Sequence, residues 1–111
     1  MKHKMRLHDK PFKLIQEGTK TIELRLYDEK RQEIQVGDEI EFTNRVTDDV
    51  ICTKVIAMHI YSCFADLYRD YDKISLGYDK DEEANPEDMS LYYSKQEQEK
   101  YGVVGIEIEL V

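Results

Sequence analysis

Cysteine is scarce in this chain, long apolar runs are missing, and there is no excess of positive charge. The two cysteines, Cys52 and Cys63, offer neither a metal-ligand spacing nor a disulfide framework. Cys52 falls within an expected strand, which reads as a buried thiol in a reducing cytoplasm. No stretch approaches the roughly 18–20 apolar residues of a membrane span. The basic start, Met1-Lys2-His3-Lys4-Met5-Arg6, is not followed by the apolar region of an export signal, so a cytoplasmic protein is expected. Metal cluster, Gly-rich phosphate loop and Ser-His-Asp arrangement are missing too, so neither metal nor cofactor is expected. The net charge of −8 argues against a sequence-blind nucleic-acid binder, which carries a basic face.

What is present is one globular domain over residues 1–111, long enough for one modest core. Hydrophobic residues make up 41% and charged residues 36%, the balance of a folded chain with a heavily solvated surface. The charge is unevenly spread. Residues 1–27 hold seven Lys/Arg against three Asp/Glu, a net of +4, whereas residues 79–99 hold two against eight, a net of −6. An acidic protein of this kind can still present a local positive pocket. The acidic run from Asp79 to Glu83 reads as a soluble loop that keeps polyanions away from that side.

Short strands alternate with short helices, without repeats or low-complexity linkers. Met5 to His8 is an expected strand, and Asp9 an expected cap for a helix carrying Phe12, Leu14 and Ile15, closed by Gly18. Thr21 to Leu26 is a second strand, and Asp28 to Gln32 a single helical turn. Val36-Gly37-Asp38 turns the chain into a strand over Glu39 to Thr43. After a break at Thr47-Asp48-Asp49, the β-branched segment Val50 to Tyr61 is an expected central strand. Ser62 is an expected cap for a helix to about Arg69, with Phe64, Leu67 and Tyr68 on one face. Asp70 to Asn85 reads as irregular, and Asn85-Pro86-Glu87-Asp88 as the start of a helix running to about Lys100. Val103 to Leu110 closes the chain as a strand with Val104, Ile106, Ile108 and Leu110 on one face. The pattern indicates an α+β fold, a small mixed β-barrel with helices inserted between strands, and not a doubly wound sheet.

The densest chemical signal is Gly18-Thr19-Lys20-Thr21-Ile22-Glu23-Leu24-Arg25. In a strand, Glu23 and Arg25 share one face while Ile22 and Leu24 share the other; Lys20, at the strand entry, is free to curl to the polar side. Such a cluster serves an anionic or polar ligand, or it is an ion-pair network of the scaffold. Lys20 next to Glu23 is expected to stay a charged lysine in an ion pair. Glu23 between two cations is expected to stay ionised, which favours a brace for Arg25 over a general base. Arg25 remains charged and suits an anion clamp.

The pattern Gly18-x-Lys20-x-x-Glu23-x-Arg25 resembles the signature of the ASCH domain family. The helix with Phe12, Leu14 and Ile15, the Val36-Gly37-Asp38 turn into Ile40-x-Phe42, and the ending Tyr92-Tyr93-Ser94-Lys95-Gln96-Glu97 followed by Tyr101-Gly102-Val103-Val104-Gly105-Ile106 resemble the family's flanking elements. The likeness covers nearly the whole chain and suggests a small bacterial-type single-domain member. It implies a PUA-like barrel of five to six strands, with the motif strand facing a cleft, and RNA or a nucleotide as the expected partner. Some relatives are amidohydrolases on acetylated cytidine, and nuclease activity is attributed to others. The amidohydrolase pattern takes a Lys and a Thr from this strand; Lys20 matches the Lys, but Glu23 stands at the Thr position, which speaks against that deacetylation. The expected ligand-binding set is Lys20, Glu23, Arg25, His8, Tyr93, Ser94 and Glu97, with Lys20 and Glu23 as catalytic candidates if the domain is an enzyme. A protein-interaction module in which the motif is structural is a further alternative. Tyr92 and Tyr93 offer a base-stacking platform or cover the core. His59 among apolar neighbours is an expected structural residue. Ser94 and Glu97 form either a polar site with Lys20 or a solvated face.

Overall fold

Alternation of β-branched and polar residues from Val50 to Tyr61 produces the twelve-residue strand around which the molecule is organised. In the computed structural model, which describes Met1–Val111, the elements follow in the order β1 (Lys2–Leu7), α1 (Asp9–Glu17), β2 (Ile22–Leu26), α2 (Glu29–Gln32), β3 (Glu39–Asn44), β4 (Val50–Tyr61), α3 (Phe64–Asp70), α4 (Lys73–Leu76), a 3-10 helix (Pro86–Leu91), α5 (Lys95–Tyr101) and β5 (Val103–Leu110). The five strands form one sheet in the order β1-β3-β4-β5-β2, so β4 is central, as its sequence indicates. β1 runs parallel to β3, and every other pair is antiparallel. The sheet curls into a half-barrel of the PUA-like kind, with the helices inserted between strands.

A bulge between Val55 and Ala57 interrupts the β4–β5 ladder. There the turn before β3 binds back, Gly37 N donating to the Val55 carbonyl and Val55 N to the Asp38 carbonyl, both at 2.8 Å. Gly37 sits at φ +96°, a left-handed position that favours glycine.

Two apolar layers sandwich the far half of the sheet. Inside the curl, Met5, Leu7, Phe12, Ile15, Phe42 and Val55 pack with Val104, Ile106 and Ile108. Outside it, Ile22, Leu24, Leu26 and Val103 pack against Phe64 and Leu67 of α3 and Leu76 of α4. β2 thus gives its apolar residues Ile22, Leu24 and Leu26 to the outer layer, and its other face carries Glu23 and Arg25.

Several local expectations are corrected. β1 covers Lys2–Leu7 instead of Met5 to His8, because parallel pairing from Lys2↔Glu39 to Leu7↔Asn44 extends the strand over Lys2, His3 and Lys4, which carry no apolar signal. Asp9 does not cap α1: His8 holds the N-cap position without a side-chain bond, while the Asp9 carboxylate accepts from Asn44 Nδ2 at 3.0 Å and pairs with Lys13 at 3.2 Å. Ser62 likewise leaves the cap of α3 to Cys63. The segment Asp70 to Asn85 contains α4, capped by Asp72 through the Ser75 N–H and ended by Gly77. The helix expected from Asn85 to Lys100 is two helices, because Ser94 opens a new one with a capping box to Glu97. Cys52 is half-buried instead of buried, and Leu110 is exposed at the last position of β5.

Candidate functional site

The chain leaves α1 through Gly18 at φ +86°, whose N–H and that of Thr19 return to the carbonyls of Ile15 and Leu14. This left-handed closure brings Lys20 to the entry of β2 with its side chain turned inward. Lys20 Nζ donates to the carbonyls of Ile22 (2.7 Å) and Leu76 (2.8 Å) and lies 3.6 Å from Glu23 Oε1. Three acceptors around one nitrogen are the complement of an ammonium. Gly77, at φ +105°, lies against the Lys20 stem, and a Cβ there would sit 3.0 Å from Lys20 Cδ.

Glu23 Oε2 accepts from both Arg25 Nε (3.0 Å) and Arg25 Nη2 (2.8 Å). The same Nη2 reaches across to the Arg6 carbonyl at 3.1 Å. β1 and β2 are the two outer strands of the sheet, so Arg25 spans the seam where the curl fails to close. Lys20 and Arg25 thus satisfy edge-strand carbonyls that a further ladder would have satisfied.

Burial acts on each of the three groups. It pulls the Lys20 pKa below the ordinary lysine value despite the opposing Glu23 charge, contrary to the expectation drawn from the ion pair alone. For Glu23, burial pushes upward, but Arg25 and Lys20 together outweigh it and hold the carboxyl below the usual range. For Arg25, burial pulls down and Glu23 more than restores it. A carboxylate so held is a weak base; the geometry is that of a brace.

The seam opens into a cleft of about 670 Å3. Its strand wall presents Arg6, His8, Glu23, Leu24 and Arg25, with Lys20 beneath. Its helical wall presents Tyr68, Tyr78, Asp88, Met89 and Tyr93. Five Lys/Arg line the cleft against three carboxylates, a positive pocket in a chain of net charge −8. Lys10 pairs with Glu82 (2.8 Å) and Asp79 (3.4 Å), so the acidic run is a strap tied to α1 and not only a solvated loop. Arg6 and Arg45 are exposed on the rim and engage no carboxylate. His8 and Tyr92 face each other there, ring centroids 5.9 Å apart, and Tyr92 is 58% exposed. Tyr93 stacks on Phe64 at 6.2 Å; burial raises its hydroxyl pKa against the pull of Arg25.

Of the residues singled out from sequence, Lys20, Glu23, Arg25, His8 and Tyr93 converge on this cleft. Ser94 and Glu97 do not line it. Their spacing is that of the capping box, Glu97 Oε1 accepting from Ser94 N and Ser94 Oγ accepting from Glu97 N, each at 3.1 Å. His59 packs against Tyr71 at 5.3 Å, outside the cleft. Arg6, Lys10, Arg45, Tyr68, Tyr78 and Asp88 escape the sequence reading. A content of eight tyrosines is the sole hint of the last group, and nothing local marks which of them meet.

The ASCH domain family model matches residues 5–111. Over its full length the chain is similar to the crystal structure of hypothetical protein PH0355, with 33% identity, 100% of both chains covered and a TM-score of 0.84. It is similar to the solution NMR structure of protein PF0455 from Pyrococcus furiosus, with 32% identity, 100% of this chain and 98% of that one covered, and a TM-score of 0.72. No curated protein matches it. No helix is long and apolar enough to cross a membrane.

Proposed function

The chain belongs to the ASCH domain family, and from that premise we propose that its cleft binds RNA or a free nucleotide through the phosphate. The carrying observation is the pair of rim arginines, Arg6 and Arg45, exposed without a carboxylate partner at a cleft of about 670 Å3. That volume suits a mononucleotide-sized ligand, since small-molecule sites span roughly 300–1,000 Å3. Guanidinium groups bind phosphate in a planar, two-pronged geometry, and a local positive field inside a net-negative protein steers an anion to one place. Tyr92 and His8 add an exposed aromatic surface beside the arginines, suited to stacking an unpaired base.

Lys20 and Arg25 serve this reading from within. Lys20 is committed to carbonyls and to Glu23, so its part is to shape the cleft floor; Arg25, with Nη1 outside those bonds, is the inner contact. A cytoplasmic setting accords with two free thiols.

Binding of a labelled single-stranded RNA and of AMP, measured across salt concentrations, tests the proposal. Arg6→Ala and Arg45→Ala are each expected to weaken binding several-fold and to reduce the RNA salt slope by about one. Undiminished affinity and slope in the double variant would sink it.

One observation favours a second reading, hydrolysis at a modified nucleoside or RNA: the lowered pKa of Lys20 brings an amine base closer to neutral pH. Its hydrogens, however, point at fixed acceptors, and Glu23 is held ionised. Turnover of an acylated nucleoside, lost in Lys20→Met, would decide for catalysis.

A further inference from the structure

The helical wall carries a hydrogen-bond chain whose direction is fixed by its far end. Tyr68 Oη lies 2.9 Å from Tyr78 Oη, and Tyr78 Oη lies 2.8 Å from Asp88 Oδ2. The Asn85 carbonyl is a second acceptor for the same Tyr78 hydroxyl, at 3.3 Å. A phenol has one proton, and both a carboxylate and a carbonyl only accept. The Tyr78 proton is therefore committed to Asp88 and Asn85. At the 2.9 Å contact Tyr78 must accept, so Tyr68 donates. Burial keeps both phenols protonated by raising their pKa values. The Tyr68 oxygen has spent its proton on the protein and receives no hydrogen bond from it. What it offers a ligand in the cleft is a lone pair.

We propose that this wall selects ligands that present an N–H or O–H donor to Tyr68, a base amine or a sugar hydroxyl, and rejects those that present a carbonyl oxygen there. A carbonyl would meet lone pair against lone pair. Reversing the chain to accommodate it would turn the Tyr78 oxygen toward the Asp88 carboxylate with no proton between them, an unpaired contact that costs more than a typical hydrogen bond contributes. The two walls then divide the work: the strand wall takes the anion, and the helical wall reads a neutral polar group. The inference rests on the nucleotide reading above and adds to it a rule of selection.

Calorimetric titration of the whole chain with AMP, IMP, 2′-deoxy-AMP and 3′-deoxy-AMP tests it. If the donor is the base amine, AMP binds about tenfold more tightly than IMP, the worth of one hydrogen bond. If it is a sugar hydroxyl, AMP and IMP bind alike and one deoxy analogue binds about tenfold more weakly. Either preference is expected to vanish in Tyr68→Phe. It should also narrow in Asp88→Asn, whose amide can donate to Tyr78 as well as accept from it and so no longer fixes the direction of the chain, and circular dichroism checks that each variant folds. Equal binding of all four probes overturns this inference and leaves the phosphate-binding proposal standing, as does a preference undiminished in a folded variant. Failure of all four to bind overturns this inference and the free-nucleotide form of the reading on which it rests, while the rim-arginine test with RNA decides the RNA form.

Discussion

Two sets of cations serve one cleft and are held in opposite ways. Lys20 lies buried beneath it and Arg25 in its strand wall, with Lys20 Nζ and Arg25 Nε and Nη2 taken by Glu23 and by the carbonyls of Ile22, Leu76 and Arg6. Arg6 and Arg45 stand at its rim in water, with no carboxylate partner. A buried cation must be satisfied by the protein or it unfolds the site; an exposed one is satisfied by water and can exchange that water for a ligand. The family motif thus contributes mainly to the shape and stability of the cleft. Its reach toward an anion comes mainly from Arg6 and Arg45, outside the motif, with Arg25 as the one inner contact.

The comparison is broken most severely at Glu23. Glu23→Gln leaves two enclosed cations without a counter-charge and is expected to lower stability by about 3 kcal/mol or more, measured by denaturant unfolding; a change within experimental error would mean that the inner cations are not held as described. Next in size is Gly77→Ala, which forces a Cβ to 3.0 Å from Lys20 Cδ at φ +105°. It is expected to cost about 1–3 kcal/mol, read as a fall in melting temperature.

A third expectation concerns acid. Asp38, beside His3 Nε2 at 2.8 Å, has its pKa lowered to about 2 by hydrogen bonds from His3 and the Gln35 N–H. The folded value lies below the unfolded one, so this carboxylate stabilises the fold above about pH 4 and ceases to do so as pH falls toward 2. Glu23, also lowered, acts in the same direction. Asp38→Asn should flatten the acid limb of a stability–pH profile without abolishing it, since Glu23 remains; an unchanged limb would remove Asp38 from the account. The smallest stability effect belongs to the rim: Arg45→Ala is expected to change unfolding free energy by no more than about 0.5 kcal/mol while weakening AMP and RNA binding. A rim variant that unfolded the protein would erase the distinction between the two sets.

Much of the scaffold could be read directly. β4 and β5 coincide with the expected strands because both are rich in β-branched residues, and β5 alternates apolar and acidic residues toward its end. Gly18 and Asp28 mark their helix ends through local chemistry alone. The errors fall where a local signal supports two structures. Ser94-x-x-Glu97 is both a polar pair and a helix start, and only the surrounding chain decides for the cap. In the site, the strand residues were legible because alternation assigns their faces. Tyr68, Tyr78 and Asp88 were not, because each is ten residues from the next and no periodicity joins them. Charge state was the other blind spot. The sequence shows Lys20 next to Glu23, but not the apolar layers that oppose its ionisation.

The seam between β1 and β2 has a consequence for motion. Most of this sheet is joined by ladders in which several bonds must break together, but its two edges meet through one guanidinium on one carbonyl. Such a joint opens without cooperative loss of neighbours, so the amides flanking it should exchange with solvent through small openings while those of β4 wait for global unfolding. The cleft therefore sits where the barrel is easiest to part, and a ligand spanning both edges would slow exchange there first.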